Sequence, residues 1–119
     1  MWEVEYTEEF EAWWETLSSR EQEAISRGVG QLESHGPELG RPLVDTVRQS
    51  RHAHMKELRT QAGGHPLRTF FAFDPRRMAI LLIGGDKTGD KHFYQRMIPE
   101  ADRLYDDHLK QLDNEGLLP

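Results

Sequence analysis

The chain has no cysteine among its 119 residues. That excludes a disulfide framework and any thiolate chemistry, and a reducing cytoplasm is the default expectation. Long apolar runs are also missing. Nothing approaches the roughly 20 residues of a membrane-spanning helix. The N-terminus is acidic, with neither a basic n-region nor an apolar h-region, so no signal peptide is expected. Positive charge is scarce at the start: residues 1–40 hold ten acids against Arg20 and Arg27. With a formal net charge of −6, non-specific nucleic-acid binding by the whole surface is disfavoured.

What is present is ordinary for a soluble globular domain: 36% apolar and 30% charged residues in a length that builds one core. The expectation is one domain over 1–113, with 114–119 as a frayed tail. The positive charge is concentrated. Residues 41–77 carry Arg41, Arg48, Arg51, Lys56, Arg59, Arg68, Arg76 and Arg77 against Asp45, Glu57 and Asp74. A confined phosphate site is therefore possible on an acidic protein, and so are arginines that merely solvate strand edges.

The organising stretch is Met55–Asp90. Met55–Gln61 and Leu67–Phe73 read as strands joined through Ala62-Gly63-Gly64-His65, the glycines supplying a hairpin turn. Asp74-Pro75-Arg76-Arg77 is the next turn. Met78–Ile83 is continuously apolar, as in a strand buried on both faces. Gly84–Asp90 reads as a glycine-rich exit loop.

Helices flank this sheet. Trp2–Tyr6 alternates apolar and charged residues, marking a strand with one covered face. Thr7 is a candidate N-cap, and Phe10, Trp13, Trp14 and Leu17 form one apolar stripe. Two adjacent tryptophans suggest a base-stacking platform, but their helical spacing points to core packing. Ser18 and Glu21 match a capping box, starting a second helix that ends at His35-Gly36-Pro37. A short connection between them implies an antiparallel helical hairpin. Leu43–Val47 is a short strand or turn. Lys91–Met97 is a turn or two of helix, and Pro99 suits the first position of a last helix. That helix buries Ile98, Ala101, Leu104, Tyr105, His108, Leu109 and Leu112.

Several familiar chemistries fail on inspection. Gly84 and Gly89 are five apart as in a phosphate-binding loop, but Asp90 stands where lysine is required. A calcium loop lacks its central glycine and distal glutamate. His52-x-His54 offers two imidazoles with no third ligand at a recognisable spacing, so no metal is expected. No nucleophile-elbow sequence supports serine–histidine–acid catalysis. What remains suits RNA cleavage without a metal or cofactor, which needs a base, an acid and cations for the phosphorane charge. Arg59 and Arg68 lie on adjacent strands. Lys87 ends the third strand, His92 and Tyr94 follow, and His54 precedes the first. Lys56 and Glu57 point to opposite faces. Glu57 with Arg68 equally reads as a buried cross-strand ion pair.

Lys56-Glu57-Leu58-Arg59, Leu67-Arg68-Thr69, Phe71–Arg77, Ile80-Leu81-Leu82 and Gly84–Asp90 together resemble the RelE/ParE toxin superfamily, nearest its HigB-like, phage-derived branch. The likeness covers about residues 2–112. It implies an α+β fold with an N-terminal strand, a helical hairpin, a mostly antiparallel sheet of four or five strands and a C-terminal helix. It also implies the toxin of a type II toxin–antitoxin pair. A cognate helix-turn-helix antitoxin would neutralise it, with oligomers formed through that partner. The activity implied is metal-independent mRNA cleavage on the ribosome. ParE-like relatives share the fold but inhibit DNA gyrase without cutting RNA, and a degenerate member would only bind its antitoxin. By position, Arg68 matches the family's phosphate-stabilising arginine, and Lys87 stands near its basic residue after the last core strand. Tyr94 matches a tyrosine proposed as base or stacking residue, His92 is the neighbouring acid/base candidate, and His54 corresponds to a strand histidine of some HigB-like toxins. Lys56, Arg59, Arg76 and Arg77 are the expected RNA- and phosphate-binding residues. The sequence departs from the pattern in having Glu57 at a place RelE-type enzymes make basic, and in its acidic final helix.

Overall fold

The computed structural model describes residues Met1–Pro119. Its centre is a five-stranded sheet built from β1 (Val4–Tyr6), β2 (Val44–Thr46), β3 (Lys56–Ala62), β4 (His65–Phe73) and β5 (Ala79–Asp86), in the order β1-β5-β4-β3-β2. All neighbours are antiparallel except β1, which runs parallel to β5. Helices α1 (Glu8–Glu15) and α2 (Ser19–His35) cover one face, and α3 (Phe93–Asn114) covers the other. The fold is thus α+β, with the elements in the order the sequence implies.

Local chemistry explains the frame. Thr7 accepts from the Phe10 amide, and Ser18 with Glu21 completes both halves of a capping box. Gly63 and Gly64 have φ of 58° and 79°, the two left-handed positions of a type I′ hairpin. The turn therefore takes only those two glycines, and β3 and β4 run longer than the sequence suggests. Side chains then divide by parity. Leu58, Leu67 and Phe71 join Phe10, Ile25 and Leu32 under the helical hairpin. Phe70, Ala72, Ile80 and Leu82 pack under α3 with Phe93, Met97, Ala101 and Leu104. A bulge where Phe70 opposes Ile83 and Phe71 opposes Leu81 leaves Leu82 unpaired, so Leu82 and Ile83 both turn toward α3. As expected, β5 is buried on both faces.

Three expectations are corrected. Gly84 and Gly85 do not open a loop; they continue β5, opposite Thr69 and Arg68. Aromatic rings occupy the space a side chain would need, since a Cβ on Gly84 would lie 2.1 Å from Trp13 and one on Gly85 2.9 Å from Phe93. Pro99 does not start a helix but sits inside α3. A continuous buried face from Phe93 through Leu112 offsets the amide hydrogen bond that proline removes. Tyr6, expected on a covered face, is 57% exposed because β1 is the sheet edge while α1 rests on β5. The Gly116 amide donates to the Asp113 carbonyl and the Leu117 amide to the Leu112 carbonyl, the two bonds of a Schellman closure.

Candidate functional site

The hairpin of β3 and β4 sets Arg59 directly opposite Arg68. Residues opposite one another share a face, here the α3 face, so two guanidinium groups stand side by side. Like charges in that position repel, and the surroundings supply the compensation. Glu57, two residues before Arg59, is 4% exposed. Its Oε1 lies 3.3 Å from Arg68 Nε, and its Oε2 is 3.8 Å from an Arg59 terminal nitrogen. Asp45, opposite Glu57 on β2, accepts from the same Arg59 nitrogen at 3.2 Å. The start of α3 brings in Tyr94, whose hydroxyl donates to Glu57 Oε1 at 2.7 Å. Lys87, just past β5, is fixed by its backbone N–H donating a hydrogen bond to the Pro66 carbonyl, and its Nζ lies 5.5 Å from the Tyr94 ring centre.

Glu57 is thus the hub that links β2, β3, β4 and α3. The sequence offers it as a possible ion-pair partner and as a departure from the family pattern, not as a hub. The signal was available in its odd position, which alternation places on the face of Arg59 and away from Lys56.

Two features make this cluster receptive to an anion. The Nε–H groups of Arg59 and Arg68 are buried and donate to no acceptor, although Glu57 is near Arg68. Unsatisfied buried donors are rare and call for a ligand, a water or a mechanistic role. An open cleft of about 330 Å³, lined by Pro42, Leu43, Arg59, Thr60, Gln61 and Arg68, lies beside them. Burial and the neighbouring Glu57 carboxylate push the Tyr94 hydroxyl above the usual phenol range, with Arg68 opposing. In this arrangement the Tyr94 hydroxyl is a hydrogen-bond donor to Glu57.

The other predicted residues are placed differently. Lys56 opposes Phe71 and so lies at the parity of the helical-hairpin face. His92 precedes α3 and is exposed, its Nδ1 3.0 Å from Gln95 Oε1. His54 is exposed in the turn before β3. Arg76 and Arg77 sit at the opposite end of the sheet, in the turn after Phe73, where β4 ends about 17 Å from Arg68 at 3.3 Å per residue. There Arg76 binds Asp74 at 2.7 Å and Glu5 at 2.6 Å, and Arg77 stacks on Trp2 at 5.4 Å. No group of three His, Asp or Glu side chains is arranged to hold a metal. A larger groove of about 710 Å³ between α1 and α2 has an apolar floor of Phe10, Ile25 and Leu81, and gathers no catalytic set.

The segments that surround this cluster also match known proteins. Residues 12–106 match the family described as "Phage derived protein Gp49-like (DUF891)". The chain belongs to that Gp49-like family. It is the phage-derived, RelE/HigB-like grouping that the sequence resembles. Two relatives come from Mycobacterium tuberculosis (strain ATCC 25618 / H37Rv). "Putative toxin HigB2" is 43% identical over 109 residues, covering 90% of this chain and 54% of that protein. "Putative toxin HigB3" is 44% identical over 100 residues, covering 83% of this chain and 86% of that protein. The chain thus spans about half the length of the first relative and most of the second. No helix is long and apolar enough to cross a membrane.

Proposed function

We propose that this Gp49-like protein is the toxin of a toxin–antitoxin pair and cleaves mRNA on the ribosome without a metal. The observation that carries the reading is the facing pair Arg59 and Arg68, whose buried Nε–H groups make no hydrogen bond within the protein although that of Arg68 lies beside a carboxylate. A phosphodiester oxygen is an acceptor of suitable charge, and arginine binds it with fixed geometry. The word "toxin" in the names of both mycobacterial relatives supports the biological setting.

The chemistry follows from the residue types. The 2′-oxygen of the ribose attacks phosphorus, and its proton passes to a base. Glu57 is the acceptor within reach of the arginines, and Tyr94 hydrogen bonds to it and keeps it oriented. Arg59, Arg68 and Lys87 stabilise the additional charge on the phosphorane. The P–O5′ bond breaks as an acid protonates the leaving oxygen, giving a 2′,3′-cyclic phosphate and a 5′-hydroxyl. His92, exposed near the cluster on the same chain segment as Tyr94, is the acid of this scheme, and His54 is its alternative. A helix-turn-helix antitoxin encoded beside the toxin is the proposed partner, with oligomers formed through it, and residues 1–113 are the functional domain.

A second reading, a non-catalytic inhibitor of a target such as gyrase, is favoured by one observation: Glu57 and Asp45 already neutralise both arginines. Inducible expression in a bacterial host, with mapping of mRNA 5′ ends, separates the two. The nuclease reading expects growth arrest with new ends inside translated frames, both lost on Arg68→Ala. Arrest with intact mRNA would move the assignment to the inhibitor.

A further inference from the structure

The carboxylate at the centre of the cluster has a consequence for substrate choice. Around the cleft, the guanidinium groups of Arg59 and Arg68 are matched by the carboxylates of Glu57 and Asp45. Lys87 then remains as the cation at the Tyr94 side. Arg41 also approaches Asp45, at 3.3 Å, but its side chain is 71% exposed and screened by water. The groups that face Glu57 are therefore Asp45 from β2, Arg59 from its own strand, Arg68 from β4 and Tyr94 from α3, with Lys87 beyond the tyrosine ring. Such a cluster has room for one negative charge. A second would be set against a buried carboxylate with no unengaged cation to offset it, where the local dielectric makes repulsion strong.

We propose that Glu57 is a charge-selecting residue: it makes the arginine pair accept an internal phosphodiester, a monoanion, and reject a terminal phosphomonoester, a dianion. This inference rests on the phosphodiester reading of the site and adds its selectivity. An enzyme built this way ignores free nucleotides and phosphorylated RNA ends, and it releases a product whose cyclic phosphate opens to a monoester. Glu57 acts here through charge, so its amide isostere keeps the shape and the Tyr94 hydrogen bond while removing the selection.

The test uses thymidine 3′-phosphate and its methyl diester, neither of which has the 2′-hydroxyl needed for cleavage. Binding is followed by NMR through the Nε–H resonances of Arg59 and Arg68. The native protein at pH 7.5 is expected to bind the diester at least tenfold more tightly than the monoester. At pH 5 the gap should narrow, because a phosphomonoester loses its second charge below a pKa of about 6. Glu57→Gln should narrow the gap at pH 7.5, because loss of the carboxylate strengthens binding of both anions but favours the dianionic monoester more than the monoanionic diester. Equal strengthening of both ligands by Glu57→Gln, or a native preference for the monoester, would overturn the proposal. If neither ligand moves these resonances in either protein, the phosphodiester reading of the site fails along with it.

Discussion

Replacing Arg68 by alanine separates the structural from the functional content of the central cluster. The Arg68 side chain is 14% exposed and that of Glu57 is 6% exposed, so the pair lies mostly out of water. Removing one partner of such a pair commonly costs about 3–5 kcal/mol, because a buried charge is left uncompensated. Here Glu57 keeps the Tyr94 hydroxyl at 2.7 Å and Arg59 at 3.8 Å, which lowers the expected loss to about 2–3 kcal/mol. Domains of this kind have about 5–15 kcal/mol of stability, so Arg68→Ala should remain folded. The double variant Arg68→Met with Glu57→Gln leaves no unpaired charge and should lie within about 1 kcal/mol of the native protein. Urea unfolding followed by tryptophan fluorescence measures these proteins together with the single variants Arg68→Met and Glu57→Gln. A loss below about 0.5 kcal/mol for Arg68→Ala, or a double variant as unstable as the sum of its single changes, would refute the buried-pair reasoning.

Three further outcomes follow from the geometry. Gly84→Ala forces a Cβ to within 2.1 Å of the Trp13 ring and should cost about 1–3 kcal/mol, read as a lower thermal midpoint. Tyr94→Phe deletes the donor to Glu57 and should lower stability by about 1–2 kcal/mol, while cleavage falls more steeply than binding of an uncleavable RNA. Burial alone would raise the Asp74 carboxyl, but hydrogen bonds from Arg76 and His108 outweigh it and hold the group below its ordinary 3.8. Its folded-state pKa is thus depressed, so its stabilisation is present above about pH 4 and is lost as pH falls through the folded value. Asp74→Asn should flatten the acid limb of the stability profile in that range.

Much of the fold was legible because local and global signals agree. Thr7, the Ser18–Glu21 box and Gly63-Gly64 each determine a cap or a turn by local chemistry. The parity of β3 and β4 then determines which residues face which layer. The misreadings occur where tertiary packing overrides local preference. Gly84 and Gly85 look like loop residues, but Trp13 and Phe93 press on them from opposite layers. Pro99 looks like a helix start, but the buried stripe of α3 runs through it. For the site, the arginine pair and Tyr94 follow from strand register and chain order. The role of Glu57 does not, because it depends on the approach of α3 and on β2 carrying Asp45 to the same face. Arg76 and Arg77 belong to the same basic stretch of sequence as Arg68 but reach the other end of the sheet, where Glu5, Asp74 and Trp2 engage them.

The central claim is cleavage through the ribose 2′-hydroxyl at the Arg59–Arg68 pair. Its most direct test is purified protein added to ribosomes programmed with an mRNA that has a single cleavable codon, with or without 2′-deoxy substitution there. The account predicts scission of the all-ribose message in the presence of chelator, and none of the deoxy-substituted message or with Arg68→Ala. Scission that survives the 2′-deoxy substitution, or an intact all-ribose message alongside native protein that arrests growth, would contradict it.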